Sequence, residues 1–143
     1  KVYYTKLSTD AIISHFKKLG IVNDFEYLNN AITGSLDNID LDYIGYGKTK
    51  FTTPMYIARS TLKGFILIDF KEGKYRITLR NLKMVQIFED EFSDTGDVID
   101  LMLYACKSSN TQFKRSFKKS PSGILNYSFD KMFEIKEITD KDW

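Results

Sequence analysis

The sequence predicts an α+β domain: an antiparallel β-sheet with helices packed on one face, built round a long central hairpin. Three observations carry that prediction. From Lys63 to Phe88, β-branched and aromatic residues flank Glu72-Gly73 on both sides. Ser8-Thr9-Asp10 opens and Gly20 closes a stretch with Ile12, Ile13, Phe16 and Leu19 at helical spacing. Ser120-Pro121-Ser122-Gly123 then precedes a last helical stripe of Leu125, Phe129, Met132 and Phe133.

The hairpin also predicts its own register. Gly73 supplies the positive φ of a tight turn. With Glu72-Gly73 as the loop, Phe70 faces Tyr75, Ile68 faces Ile77 and Ile66 faces Leu79, an apolar face throughout. On the opposite face Lys71 meets Lys74, Asp69 meets Arg76, Leu67 meets Thr78 and Phe65 meets Arg80. A slip of one residue would turn the apolar set towards water. Each good cross-strand pair adds roughly 0.2–1 kcal/mol and each buried large side chain about 1.5–3 kcal/mol. Burial dominates, and the pairs choose the register. The outer face of Phe65, Leu67, Arg76 and Arg80 is mixed rather than polar, which makes it the candidate partner-binding surface.

The chain has 143 residues, 43% of them hydrophobic and 15% aromatic, enough to build one core in a single domain spanning 1–143, with a charged tail over 137–143 that can fray. A net charge of +2 gives no general pull on nucleic acid or anionic lipid. Cys106 is the single cysteine, so neither an internal disulfide nor a Cys-rich zinc site exists. The sequence begins at Lys1 rather than methionine. A removed signal peptide is one explanation and a shortened chain another.

Along the chain, Val2 to Leu7 reads as a short strand. Ile21 to Gly34 is ambiguous: Phe25, Leu28 and Ile32 suit a helical face that Asn23, Asn29, Asn30 and Gly34 interrupt. Ile39 to Tyr43 alternates as a strand ending near Gly45-Tyr46-Gly47, and Phe51 to Ser60 reads as an extended piece confined to an edge by Pro54. Glu89 to Asp94 is an acidic loop. Asp97 then caps a short helix with Ile99, Met102, Leu103 and Cys106 on one stripe.

Few residues point to chemistry. Gly47-Lys48-Thr49 resembles a phosphate loop, but Asp42 stands where that motif needs its first glycine. Asp37, Asn38, Asp40 and Asp42 fit neither frame of a calcium loop. His15, the sole histidine, sits on a helix beside Lys17 and Lys18 and reads as a surface residue. Cys106 falls on an apolar stripe, as an inert buried thiol does. Asn126-Tyr127-Ser128 fits a glycosylation sequon but lies within a helical pattern. Lys114, Arg115, Lys118 and Lys119, interleaved with Phe113 and Phe117, could follow a phosphate backbone and stack bases, although four charges in one loop also make an ordinary solvated surface. No catalytic, metal-binding or cofactor-binding constellation emerges.

Lys71 to Leu79, Lys-Glu-Gly-Lys-Tyr-Arg-Ile-Thr-Leu, resembles a signature of the form D/E-G-K-Y-R-y-t-i, and Tyr43-Ile44-Gly45-Tyr46-Gly47 stands in place of an I-x-G-x-G-like strand end. Together, over roughly Thr5 to Val85, they are similar to the domain-of-unknown-function family 4468, found mainly in Bacteroidetes. The resemblance implies a fold like that of the TATA-binding protein, an antiparallel sheet with helices on one face. It also implies an exported, periplasmic or cell-envelope protein, with a cytoplasmic location as the alternative, and it transfers no catalytic residue. The fold name alone does not license DNA binding. The expectation is a non-catalytic envelope module binding an unknown protein or small ligand with one sheet face. The alternative is a nucleic-acid-binding protein using the basic 114–119 loop and the sheet, and an enzyme of unknown type comes third.

Overall fold

The structure, a computed structural model, describes residues 1–89, 91, 94–108 and 112–137. Its elements follow the order β1 (Val2–Tyr4), α1 (Thr9–Leu19), β2 (Asn23–Leu28), β3 (Ala31–Ile39), α2 (Met55–Ala58), β4 (Ser60–Lys71), β5 (Lys74–Gln86), β6 (Val98–Asp100), α3 (Leu101–Ala105), α4 (Arg115–Lys118) and α5 (Pro121–Phe133). The strands form one antiparallel sheet in the order β1-β5-β4-β3-β2. The edge of β5 away from β4 is shared by β1, against residues 74–76, and β6, against residues 83–85. The fold is α+β, as expected.

The β4–β5 hairpin takes the register its side chains dictate: Phe70 pairs with Tyr75, Ile68 with Ile77, Ile66 with Leu79 and Phe65 with Arg80. Gly73 has φ 73°, a conformation an L side chain resists. The inner face is core. Ile66, Ile68, Tyr75 and Ile77 are buried with Ile32 and Leu36 of β3, Phe16 of α1, Ile57 of α2, Leu101 and Ala105 of α3, Phe117 of α4, and Ile124, Leu125 and Phe133 of α5. Helix α1 carries both caps that the sequence supplies: Ser8 accepts the Ala11 N–H through its side chain, and Gly20 is left-handed.

Four segments differ from expectation, each for a local reason. The ambiguous 21–34 stretch is a second hairpin, β2–β3, turning at Asn29-Asn30 with φ of 51° and 59°. Asparagine reaches this region more readily than most residues, so no glycine was needed. Ile39 to Tyr43 is not a separate strand; β3 ends at Ile39 and the chain turns, with Tyr46 N–H donating to Asp42 O and Gly47 N–H to Ile44 O. Phe51 to Ser60 contains helix α2, which Pro54 begins because a helix start needs no N–H there. Asp100 rather than Asp97 caps α3, because 98–100 pair with β5 first. The buried stripe of α3 is consequently Leu101, Ala105 and the adjoining Cys106, while Leu103 faces outward. Asp90, Phe92 and Ser93 of the acidic loop, and the tail beyond Glu137, lie outside the described residues.

Three carboxylates fasten α5 and the residues after it. Asp130 accepts from Lys1 Nζ at 2.6 and 2.7 Å and from the Tyr3 hydroxyl at 2.8 Å. Asp42 accepts from Lys131 Nζ at 2.7 Å and from Gly45 N–H at 2.8 Å. Glu137 accepts from Lys6 N–H at 2.6 Å and from the Thr5 hydroxyl at 2.9 Å.

All three carboxyls are held below the ordinary range. For Asp42 the main cause is the Lys131 hydrogen bond, and for Glu137 the Lys6 amide. At Asp130 burial pushes upward, but the hydrogen bonds from Lys1 and Tyr3 outweigh it. Each group binds a proton more weakly folded than unfolded. Its stabilisation is therefore complete above the ordinary carboxylate pKa and lost as pH falls through the lowered value. The melting midpoint should drop between about pH 5 and pH 2, and Asp42→Asn should flatten part of that drop. An acid profile unchanged by Asp42→Asn would show that the Lys131 contact contributes nothing.

Candidate functional site

The outer face of the sheet is built from cross-strand rows. One row runs Glu26, Thr33, Leu67, Thr78; the next runs Leu28, Ala31, Asp69, Arg76, Val2; a third joins Ser35, Phe65 and Arg80. Every described helix places its buried residues in the core on the other side, so these rows face outward. Phe65 is 57% exposed, Arg76 and Arg80 are exposed, and Leu67 is half-buried between Thr33 and Thr78.

One end of this face is hollow, and the cause is a band of β-bulges. Each of β2, β3 and β5 carries one extra residue relative to its neighbour. Within or beside each bulge lies a non-glycine residue with positive φ: Asp24 at 51°, Asn38 at 53° and Asn81 at 51°. A bulge bends its strand and increases the local twist, and three in line curl the sheet. Close backbone approach accompanies the bend. A Cβ on Gly64 would sit 2.9 Å from the Arg80 carbonyl oxygen, so β4 needs glycine where it faces the β5 bulge.

The resulting cleft has a volume of about 730 Å³. Its walls carry both signs of charge: Asp24 and Asp37 from the β2 and β3 bulges, Lys63 and Lys83 from β4 and β5, and Asp100 from β6. Lys63 and Lys83 are direct cross-strand partners, a like-charge pair, and Asp100 stands opposite Lys83 on its other side. Among the described residues neither forms an ion pair. Asp100 accepts the Met102 N–H at 2.9 Å as the cap of α3. Phe65 supplies the apolar wall.

Of the four residues singled out in the sequence, Phe65 lines the cleft and Arg80 stands directly opposite it on β5. Arg76 lies further along, where its Nε and Nη2 donate to Asp69 Oδ2 at 3.1 and 2.8 Å. With Val2, Asp69, Lys71 and Lys74 it borders a separate depression of about 140 Å³. Leu67 lines neither hollow but lies on the strand between them. The charged cleft residues were missed in the sequence. The available signal was Leu79-Arg80-Asn81-Leu82, where the alternation breaks at a residue tolerant of left-handed φ.

The other motifs resolve into structural roles. In Gly47-Lys48-Thr49 the amides are occupied internally, by Ile44 O, Tyr43 O and the Thr52 hydroxyl. Among the described residues no cluster of His, Cys, Asp or Glu could hold a metal ion. His15 lies half-buried with its ring edge-on to Phe16. Cys106 is buried with its thiol 3.9 Å from the Met102 sulfur. Ser128 of the sequon is buried and accepts the Asp42 N–H at 2.9 Å. In the basic segment Phe117 is core and Phe113 stacks on it at 5.5 Å, which leaves one exposed ring rather than two. No protein-family model matches this chain, and no curated protein or solved structure does so either.

The bulge band makes a direct prediction. Asn81 is exposed and strained, so Asn81→Gly should hold or raise the melting midpoint, whereas Asn81→Val should cost about 1–2 kcal/mol. Wild-type stability in Asn81→Val would mean that β5 runs through without the bulge.

Proposed function

We propose that this chain is a non-catalytic binding module of the bacterial cell envelope that captures a protein or small ligand on the uncovered face of its sheet. The bulge-lined cleft is the observation that carries this reading. Backbone held in sparsely populated conformations persists where the surrounding structure enforces it, and such positions concentrate at ligand sites. Here two of them, Asp24 and Asn81, line one hollow, and the third, Asn38, follows Asp37 of its wall in sequence. A lysine pair, carboxylates on either side, with Asp100 directly across from Lys83, and an exposed Phe65 favour an occupant that brings both charge signs and an apolar group. A peptide segment and a small zwitterion both meet that description. The envelope location is supported by the resemblance carried by Lys71 to Leu79 and Tyr43 to Gly47.

Amide NMR spectra recorded during a screen of short peptides and zwitterionic fragments test the proposal. Perturbed signals should cluster at Ser35, Lys63, Gly64, Phe65, Asn81 and Lys83. The double variant Phe65→Ala, Arg80→Ala should lose those perturbations, while each substitution changes stability by no more than about 0.5 kcal/mol, as for other surface positions. If the double variant unfolds instead, this face is core and the proposal fails.

A further inference from the structure

A second surface, made from other residues and independent of the sheet face, carries a cluster of cations. Between Asp100 and Asp130 the sequence has no carboxylate, yet it holds Lys107, Lys114, Arg115, Lys118 and Lys119. Helix α4 is anchored by Phe117, which is buried, so its cations are turned outward. Arg115 is the shared wall of two depressions. One, of about 500 Å³, is lined by Lys107, Gln112, Phe113 and Lys118 as well. The other, of about 680 Å³, runs from Phe51 to Pro54 on one side and through Lys119 to Pro121 on the other. Among the described residues, Arg115, Lys118 and Lys119 form no ion pair.

Phe51 shares a depression with Arg115 and Lys119, and the core uses neither it nor the side chains of Met55 and Leu103 in the neighbouring helices α2 and α3. Phe51 is 96% exposed, Met55 59% and Leu103 65%. Phe51 is presented by an ordered turn: Thr49 N–H donates to the Thr52 hydroxyl at 2.9 Å, and the Thr53 hydroxyl donates to Thr49 O at 2.8 Å. Lys48 and Lys50 flank that turn in sequence. Lys114 Nζ donates to Leu103 O at 2.8 Å, tying the α3 segment to the start of the basic helix. Glu89 follows directly on Phe88, the ring that Lys50 covers, and the attractive charge is that of α4.

We propose that this surface docks on an anionic bilayer, with Phe51 entering the headgroup–acyl boundary and Arg115, Lys118 and Lys119 meeting lipid phosphates. Basic residues next to exposed apolar ones bind anionic interfaces by summing apolar burial with charge attraction. Single-stranded nucleic acid would share the charge attraction but needs flat rings for its bases to stack on. Phe117 is unavailable and Phe113 is already stacked on it, while Phe51 stands with the aliphatic Met55 and Leu103, which suit acyl chains rather than bases. No described helix is long and apolar enough to cross a membrane.

Co-sedimentation of the chain with phosphatidylcholine vesicles, with and without about a third phosphatidylglycerol, tests the proposal, with an oligothymidylate gel shift as the competing arm. Binding should require phosphatidylglycerol and weaken as salt rises, because exposed charges are screened. Phe51→Ser should lower vesicle binding by about tenfold, the effect of withdrawing one large apolar side chain. Arg115→Gln with Lys119→Gln should lower it by about tenfold or more. Circular dichroism distinguishes loss of binding from loss of fold, and all three positions lie outside the buried core. Three results would overturn the proposal: no vesicle binding at low salt, equal binding to pure phosphatidylcholine, or binding of the oligonucleotide without the vesicles. Vesicle binding untouched by Phe51→Ser would overturn it as well.

Discussion

The packing of Tyr75 is the constraint on which the rest of the structure depends. Its ring stacks on Tyr3 at 5.3 Å, meets the edge of Phe16 at 5.8 Å and lies opposite Phe70 across the hairpin. Its hydroxyl donates to Phe133 O at 2.6 Å and accepts Ile135 N–H at 2.9 Å. One side chain thus joins β5, β1, α1 and the end of α5. Burial pushes its phenol, like that of Tyr3, above the ordinary tyrosine range. A buried hydroxyl that lost either partner would leave a main-chain group unpaired, a penalty of about 1–3 kcal/mol. The register of β5 is therefore fixed from the core side as well as from the hairpin.

With the register fixed, the two faces of the sheet are assigned, and the bulges decide what the outer one looks like. Strands without extra residues would present a gently twisted surface of mixed side chains. Asp24, Asn38 and Asn81 instead bend three strands at one end, and the lysine and aspartate side chains nearby converge on a hollow. Strain there is sustained by the regular part of the hairpin, where apolar pairs from Ile66 to Tyr75 hold the sheet together. Core order and cleft shape are two results of one register.

The sequence revealed most where chemistry was local and complementary. The β4–β5 pairs, the two caps of α1 and the inward stripe of α1 follow from adjacent residues and alternation alone. The alternation of Ile39 and Leu41 was informative about burial, since both are buried, but not about pairing, because β3 had already ended. The Asn29-Asn30 turn was visible only as an interruption of a helical face, because Phe25, Leu28 and Ile32 also fit a helical spacing. The candidate surface was legible in part. Phe65 was found because it breaks the polarity of the outer face, and Arg80 because the hairpin register sets it opposite. Lys63, Lys83, Asp24, Asp37 and Asp100 were not, because a bulge shifts which residues share a row and no periodic pattern marks the shift. Phe117 shows the converse: an aromatic residue between cations looked like part of a binding stripe, yet it is the anchor of its helix.

The central claim is that the outer face of the sheet is open to an occupant. Solvent paramagnetic relaxation with a soluble gadolinium chelate tests it most directly, methyl group by methyl group. The methyls of Thr33, Leu67 and Thr78 should relax far faster than those of Ile32, Ile68 and Ile77 in the same strands. Equal protection on both faces would contradict the account, since the sheet would then be covered on both sides and its cleft filled by the protein itself.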